Sequence, residues 1–325
     1  MSFRLACFLG LVATATCIPT INVQKRTTRT SAPSGCLTVG TSGTYSTISD
    51  ALTELASSTS TACIYISAGT YEEQLTIDYG GSLTLYGETT NTGTYKENTV
   101  TITHTISSSE AGSLDLSSTI NVVSDGFRMY NINVVNGYGE GAQAVALTAN
   151  ANELGFYACQ ISGYQDTLYA KAGYQYYSNC MMEGADDYIF GDASAWFGEC
   201  DIVSNGSGSI TANSRESSSD TSWYCFDNCS VDAASGVSLD GDVYLGRPWR
   251  VLARVVYQNS VLSDIVNAEG WITMADGATP LYYEYNNSGA GSDTSERLYE
   301  SSISAAVAKT TVLGSNWGDW IDSSY

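Results

Sequence analysis

Two acidic segments, GYQDTLY at 163–169 and DDYIFGDA at 186–193, set Asp166 and Asp187 21 residues apart in a chain with a single histidine. A short phrase recurs around them: ACQI at 158–161, NCMM at 179–182, ECDI at 199–202, NCSV at 228–231 and NSVL at 259–262. Asp166 follows Cys159 by seven residues, and Asp187 follows Cys180 by seven. If each phrase marks the same point on successive coils of a solenoid, the two carboxylates stack one rung apart on one face. Neighbouring strands lie roughly 4.8 Å apart, so the acids would face each other at hydrogen-bonding range. Such a pair cannot easily ionise twice, and the split in pKa leaves one base or nucleophile and one acid. The chemistry indicated is carboxylate-driven hydrolysis.

The elements that must hold this pair are short strands. From Ile64 to about Leu262 the chain runs in stretches of four to six residues, such as IYIS, SLTLYG, VTITH and AVALTA, broken by Gly, Asn, Asp or Ser turns. No segment sustains a 3.6-residue period. The aligned positions Ile132, Cys159, Cys180, Cys200, Cys229 and Ser260 fall at intervals of 27, 21, 20, 29 and 31, as coils with loops of variable length produce. A two-sheet sandwich would supply similar strands but not the recurring phrase. The expected fold is all-β, a single-stranded right-handed parallel β-helix. CLTVG and the amphipathic DALTELA (50–56) supply a first strand and a short N-terminal capping helix, and SSISAAVAKTTVLG a helix in the C-terminal tail. A solenoid needs closed ends, because an open one exposes core and unpaired strand edges.

Composition bounds the rest. The 325 residues contain 31 Gly and 23 Tyr but only 4 Pro, and 14% are charged, which suits stacked strands with aromatic ladders. Arg4 precedes the apolar run LACFLGLVATATC (5–17), too short to span a bilayer and grading into small residues, so 1–17 reads as a secretory signal and the mature protein as soluble and extracellular. Residues 18–35 read as a leader or propeptide, with Lys25-Arg26 a dibasic processing point, and 36–325 as one domain. Of nine cysteines, Cys7 and Cys17 leave with the signal. Cys36 and Cys63 flank the helical stretch and could be bridged in an oxidising compartment, while Cys159, Cys180 and Cys200 read as a buried ladder of small side chains. Sequons start at Asn205, Asn228 and Asn286, in keeping with a secreted glycoprotein. The net charge of −21 argues against nucleic-acid and membrane partners. It also disfavours a strongly anionic polymer, but not one whose carboxylates are masked.

GTYEE (69–73), QAVAL (143–147), GYQDTLY, DYIFG (187–191) and LGRPW (245–249) occur in this order, followed by EYNNSGAGS (284–292). Together they resemble the marker segments of the pectin methylesterases, carbohydrate esterases that demethylate pectin. The resemblance runs over 36–325, and the secretory leader and acidic composition are most similar to fungal members. Tyr164 and Tyr188 stand where Phe is common, and both keep the ring. The resemblance implies hydrolysis of galacturonate methyl esters in pectin, a role in degrading the plant cell wall, and no cofactor. It also implies a monomer that meets proteinaceous plant inhibitors.

Ester hydrolysis needs a nucleophile, a proton source for the leaving alkoxide and donors aimed at the developing oxyanion. A Ser-His-Asp triad is excluded, because His104 lies upstream in VTITHTI with no GxSxG elbow, where it reads as a turn or surface residue. No His/Cys cluster has zinc-ligand spacing, so no metal is expected. Asp187 is then the nucleophile, and Asp166, protonated, the donor to methoxide and later the base that activates water. The resemblance assigns the same roles. Gln143 and Gln165 are neutral amide donors suited to an oxyanion. Arg247, fixed between Gly246 and Pro248, presents a planar fork that can grip Asp187. Trp249, Trp271, Tyr164 and Tyr169 are expected to line the groove and stack on sugar rings. Asp186 and Asp192 read as turn residues that help raise the Asp166 pKa, and GTYEE as packing beneath the groove.

Two other readings compete. Asp186-Asp187 superficially suits another pectin-active β-helix enzyme, since an inverting polygalacturonase keeps its acids about 6.5–9.5 Å apart; however, no GHG segment is present, and the acids are not grouped for a pectate lyase's calcium. A non-catalytic carbohydrate-binding β-helix would not need Gln143, Gln165, Asp166, Asp187 and Arg247 together.

Overall fold

Strands this short and rich in β-branched and aromatic residues bury little alone, so each must pair on both edges with the coil before and the coil after. The computed structural model describes residues 27–56 and 58–325. Its strands form three parallel sheets of ten, eight and seven strands, a parallel β-helix. One coil shows the pattern. Leu154–Tyr157 joins the ten-stranded sheet, Gln160–Ser162 the eight-stranded sheet and Leu168–Ala172 the seven-stranded sheet, and Tyr174–Ser178 then returns to the first. The signal segment, the dibasic pair Lys25-Arg26 and the rest of 1–26 lie outside the described residues.

The recurring phrase marks the corner between the ten- and eight-stranded sheets. On successive coils that corner is made by Asn131, Ala158, Asn179, Glu199, Asn228, Asn259 and Asn286, all with φ between 50° and 57°. A left-handed residue turns the chain sharply there, and Asn tolerates that conformation better than most side chains. The next residue points inward, so Cys159, Cys180, Cys200 and Cys229 stack as a buried ladder of free thiols. Ser260 extends it, its Oγ accepting from the Cys229 N–H at 3.0 Å. Of the three sequons, Asn228 and Asn286 are exposed on this corner, whereas the Asn205 amide donates to the Gly163 carbonyl at 3.0 Å.

Inside, in-register positions stack like on like. Phe156, Tyr177, Phe197, Phe226 and Tyr257 form one column with ring centroids 4.4–4.8 Å apart. At one end the helix Ile48–Leu55 buries Ile48 and Ala51 over the core, beside the Cys36–Cys63 disulfide. Glu73 accepts from the Ile48 and Ser49 N–H groups, neutralising the helix start. GTYEE therefore anchors the cap instead of packing beneath the groove. The next position in the aromatic column is Glu284, paired with Arg297 at 2.8 Å. The tail is helical only at Lys309–Leu313 and Trp317–Trp320, and it covers tyrosines on the outside of the ten-stranded sheet. Part of the leader also docks: Arg29 bridges to Thr89 and bonds the Gly87 carbonyl and the Asn131 side chain.

Candidate active site

The seven-stranded sheet carries the acids. Leu168 pairs with Ile189, and Gln165 bridges to Asp186, so Asp166 and Asp187 enter adjacent strands at equivalent positions. Both are left-handed, with φ of 62° and 49°, and each N–H donates to the next coil: Asp166 to the Asp186 carbonyl at 3.1 Å, Asp187 to the Ser209 carbonyl at 2.7 Å. This second corner turns the side chains out while the backbone stays paired. Asp is among the few non-glycine residues that adopt it readily.

Their partners differ. Arg247 grips Asp187 with two parallel bonds, Nε to Oδ1 and Nη2 to Oδ2, both 2.8 Å, and its Nη2 also reaches Asp186 Oδ2 at 2.8 Å. Asp166 receives only the Gln143 amide, Nε2 to Oδ2 at 2.9 Å, and its Oδ1 is buried without a partner among the described residues. Burial pushes the Asp166 carboxyl up to about 8, reinforced by the charges of Asp187 and Asp186 and opposed by Arg247 and Gln143. Burial raises Asp187 as well, against the hydrogen bonds and charge of Arg247. Two acids of one type on neighbouring rungs are thus made unequal by who donates to them. The proton is thereby favoured on Asp166 and the charge on Asp187.

A groove floor runs from this pair along the outer face of the sheet. Tyr169, Phe190, Ala212 and Arg247 are in register. Tyr169 stacks on Phe190 at 4.3 Å, and Trp249 leans on Phe190 at 6.0 Å; Val145 and Leu114 complete the apolar patch. Gln143, exposed, and Gln165, half-buried, lie on adjacent coils, the Ala144 N–H donating to the Gln165 carbonyl at 3.0 Å. An amide carries two N–H donors, so Gln143 keeps one free while holding Asp166. A carboxylate paired with a guanidinium, a second carboxyl that favours its proton and amide donors beside an apolar wall are the parts an acyl transfer requires.

The pectinesterase family model matches residues 36–323. The chain belongs to the pectinesterase family. It is a carboxylic ester hydrolase. The fungal character of the resemblance is borne out by two relatives. A probable pectinesterase A of Aspergillus niger is 76% identical over 323 residues, covering 99% of each chain. Pectinesterase A of Emericella nidulans is 71% identical over 316 residues, covering 97% of each. The fold is likewise similar to the crystal structure of the Aspergillus niger pectin methylesterase in deglycosylated form. That structure has a TM-score of 0.91 and 80% identity, covering 92% of this chain and all of that one.

Not every expected residue arrives at this candidate site. Trp271 does not line the groove: it is 0% exposed, stacked on Tyr282 at 3.9 Å, its Nε1 donating to Glu284 Oε1 at 3.2 Å. It bridges to Gly246, not to Arg247, and one step along a strand reverses the face. Tyr164 stands outside the apolar patch and packs over Gly206, where an added Cβ would lie 2.7 Å from its hydroxyl. His104 sits on the eight-stranded sheet opposite Asn136, away from the acids. Asp186 does more than turn the chain, since it shares Arg247 and accepts from the Ser209 N–H at 3.0 Å. Asp192 accepts from the Ser222 hydroxyl at 2.7 Å. Phe190 and Leu114 were missed. The alternation of DYIFG, which turns Ile189 in and Phe190 out, was the available signal for Phe190; Leu114, which opens the short helix Leu114–Ser117 far from it in sequence, had none.

Proposed function

We propose that this chain hydrolyses the methyl esters of galacturonate units in pectin through an Asp187 acyl-enzyme. The observation that carries the reading is the unequal pair: Asp187 held by a bidentate arginine, Asp166 buried beside it with a single amide donor and its carboxyl pushed up to about 8. Asp187 attacks the ester carbonyl carbon, and the carbonyl electrons move to oxygen, where Gln143 and Gln165 donate. Collapse expels methoxide, which takes the Asp166 proton and leaves as methanol. Asp166, now a carboxylate, removes a proton from water. The hydroxide adds to the mixed anhydride, Asp187 departs as carboxylate and Asp166 is again protonated. Tyr169, Phe190 and Trp249 supply the surface for the sugar rings. The signal-like segment supports secretion, with 1–17 removed on export, so that the enzyme meets pectin of the plant cell wall.

The test is incubation with methylated pectin. Methanol and acid released without chain shortening are expected, whereas new reducing ends would indicate a polygalacturonase and an unsaturated product a lyase. Asp187→Asn and Asp166→Asn should each lower methanol release by orders of magnitude with an unchanged circular dichroism spectrum, because Asn keeps both the left-handed corner and the side-chain shape. Gln143→Ala should lose less, about 10²–10³ in kcat. Near-normal turnover by Asp187→Asn would remove it as nucleophile.

A further inference from the structure

The cations beside the groove are almost all committed. Arg247 is occupied by Asp187 and Asp186. Lys171 is held by both oxygens of Asp115, at 2.7 and 2.9 Å. Arg215 is buried and donates to the carbonyls of Ser218, Asp220 and Leu252. Arg254 donates to the carbonyls of Ser222 and Asp220 and lies over the Trp223 ring. Arg250 differs. Its guanidinium makes no hydrogen bond among the described residues, and its nearest acid is Glu216, 4.0 Å away, with the two side chains 50% and 74% exposed. It hovers 5.5 Å from the ring of Trp249, the residue that closes the apolar wall of the groove.

Resting on the esterase reading, we propose that Arg250 binds a free galacturonate carboxylate of the polymer, one sugar or more from the reacting ester. It thereby sets how well the enzyme accepts partly demethylated pectin. The preference is electrostatic. A neutral methyl ester offers a guanidinium only a single uncharged carbonyl acceptor, whereas a carboxylate offers a charge-assisted, fork-shaped partner. Each turnover leaves a new carboxylate on the chain, and a protein of net charge −21 repels it. Among the described residues, Arg250 is the groove cation free to oppose that repulsion, and Glu216 competes with the substrate for it.

Methanol release is measured on highly and on sparsely methylated pectin for the wild type, Arg250→Gln, Arg250→Lys and Glu216→Gln. The ratio of kcat/KM on sparse to that on dense substrate should fall roughly three- to tenfold in Arg250→Gln, through KM. It should fall less in Arg250→Lys, which keeps the charge but not the fork. It should rise in Glu216→Gln, and all differences should shrink in high salt. An unchanged ratio in Arg250→Gln, or an equal loss on both substrates, overturns the proposal, the latter assigning Arg250 to the seating of Trp249. Binding to immobilised unesterified polygalacturonate, measured in an Asp187→Asn background, reads the contact without turnover. Failure of Arg250→Gln to weaken it also overturns the proposal. Wild-type protein that releases no methanol from either pectin sinks the esterase reading instead.

Discussion

Asp166 and Asp187 share residue type, corner conformation and burial, at 3% and 7% exposure, so their difference lies in their donors. Two guanidinium bonds stabilise the charge on one, and a single amide leaves the other near 8. A raised acid has a cost for the fold. Between the ordinary value of 3.8 and about 8 the folded state holds a proton that the unfolded chain has released. The stability contributed by Asp166 is therefore fully present below the lower value and is lost as pH rises through the upper one. Asp166→Asn removes a group that is penalised at alkaline pH. Its Tm should match the wild type near pH 4 and exceed it by roughly 5 °C near pH 8. Thermal melts across that range check this, and a constant offset would contradict the raised pKa.

At the scale of elements, the strand Val243–Pro248 does two jobs on alternate residues. Arg247 faces the groove, and Gly246 faces the packed interior, where an added Cβ would meet Thr211 Oγ1 at 2.0 Å. Thr211 cannot turn aside without cost, because it is buried and its hydroxyl donates to the Leu245 carbonyl at 2.9 Å. Gly246→Ala should therefore push the strand outward and shift Arg247 against Asp187. An approximately 1 Å misplacement is worth about 10²-fold in rate, so kcat should fall by that order, and Thr211→Ala in the same chain should restore part of it. Wild-type kcat in Gly246→Ala would show that the strand absorbs the methyl without moving Arg247.

The whole molecule is a stack whose coils each hold only their neighbours, so its stability depends on closing both ends. At the C-terminal end Arg297 donates to both oxygens of Glu284 and to the carbonyls of Asn267, Ala268 and Gly291. The two side chains are 1% and 3% exposed, and Glu284 sits in register after the aromatic column, accepting from Trp271 Nε1. A buried pair loses about 3–5 kcal/mol when one partner is removed, because the other charge stays behind unpaired. Arg297→Ala should lower Tm by roughly 10 °C, measured by differential scanning calorimetry; a wild-type Tm would mean that the end needs no ionic closure.

The solenoid, its corner phrase and the acid pair were legible in the sequence because they depend on local rules. Strand alternation has period two, the left-handed corner selects Asn or Asp, and equal spacing from the corner places Asp166 and Asp187 on matching rungs. Gln143 and Arg247 were legible as residue types that complement such a pair. What the tertiary structure alone decided is how distant segments come into register. Trp249 and Trp271 look alike as text, yet the first leans on Phe190 at the apolar patch and the second bridges to Gly246 and stacks on Tyr282 in the interior. Likewise, GTYEE gave no sign that Glu73 would hold the start of the capping helix. Nor did Arg250 show that every neighbouring cation would be taken. Those outcomes follow from which segments lie side by side and in what register, and away from the recurring corner phrase no local rule writes that register into the residues.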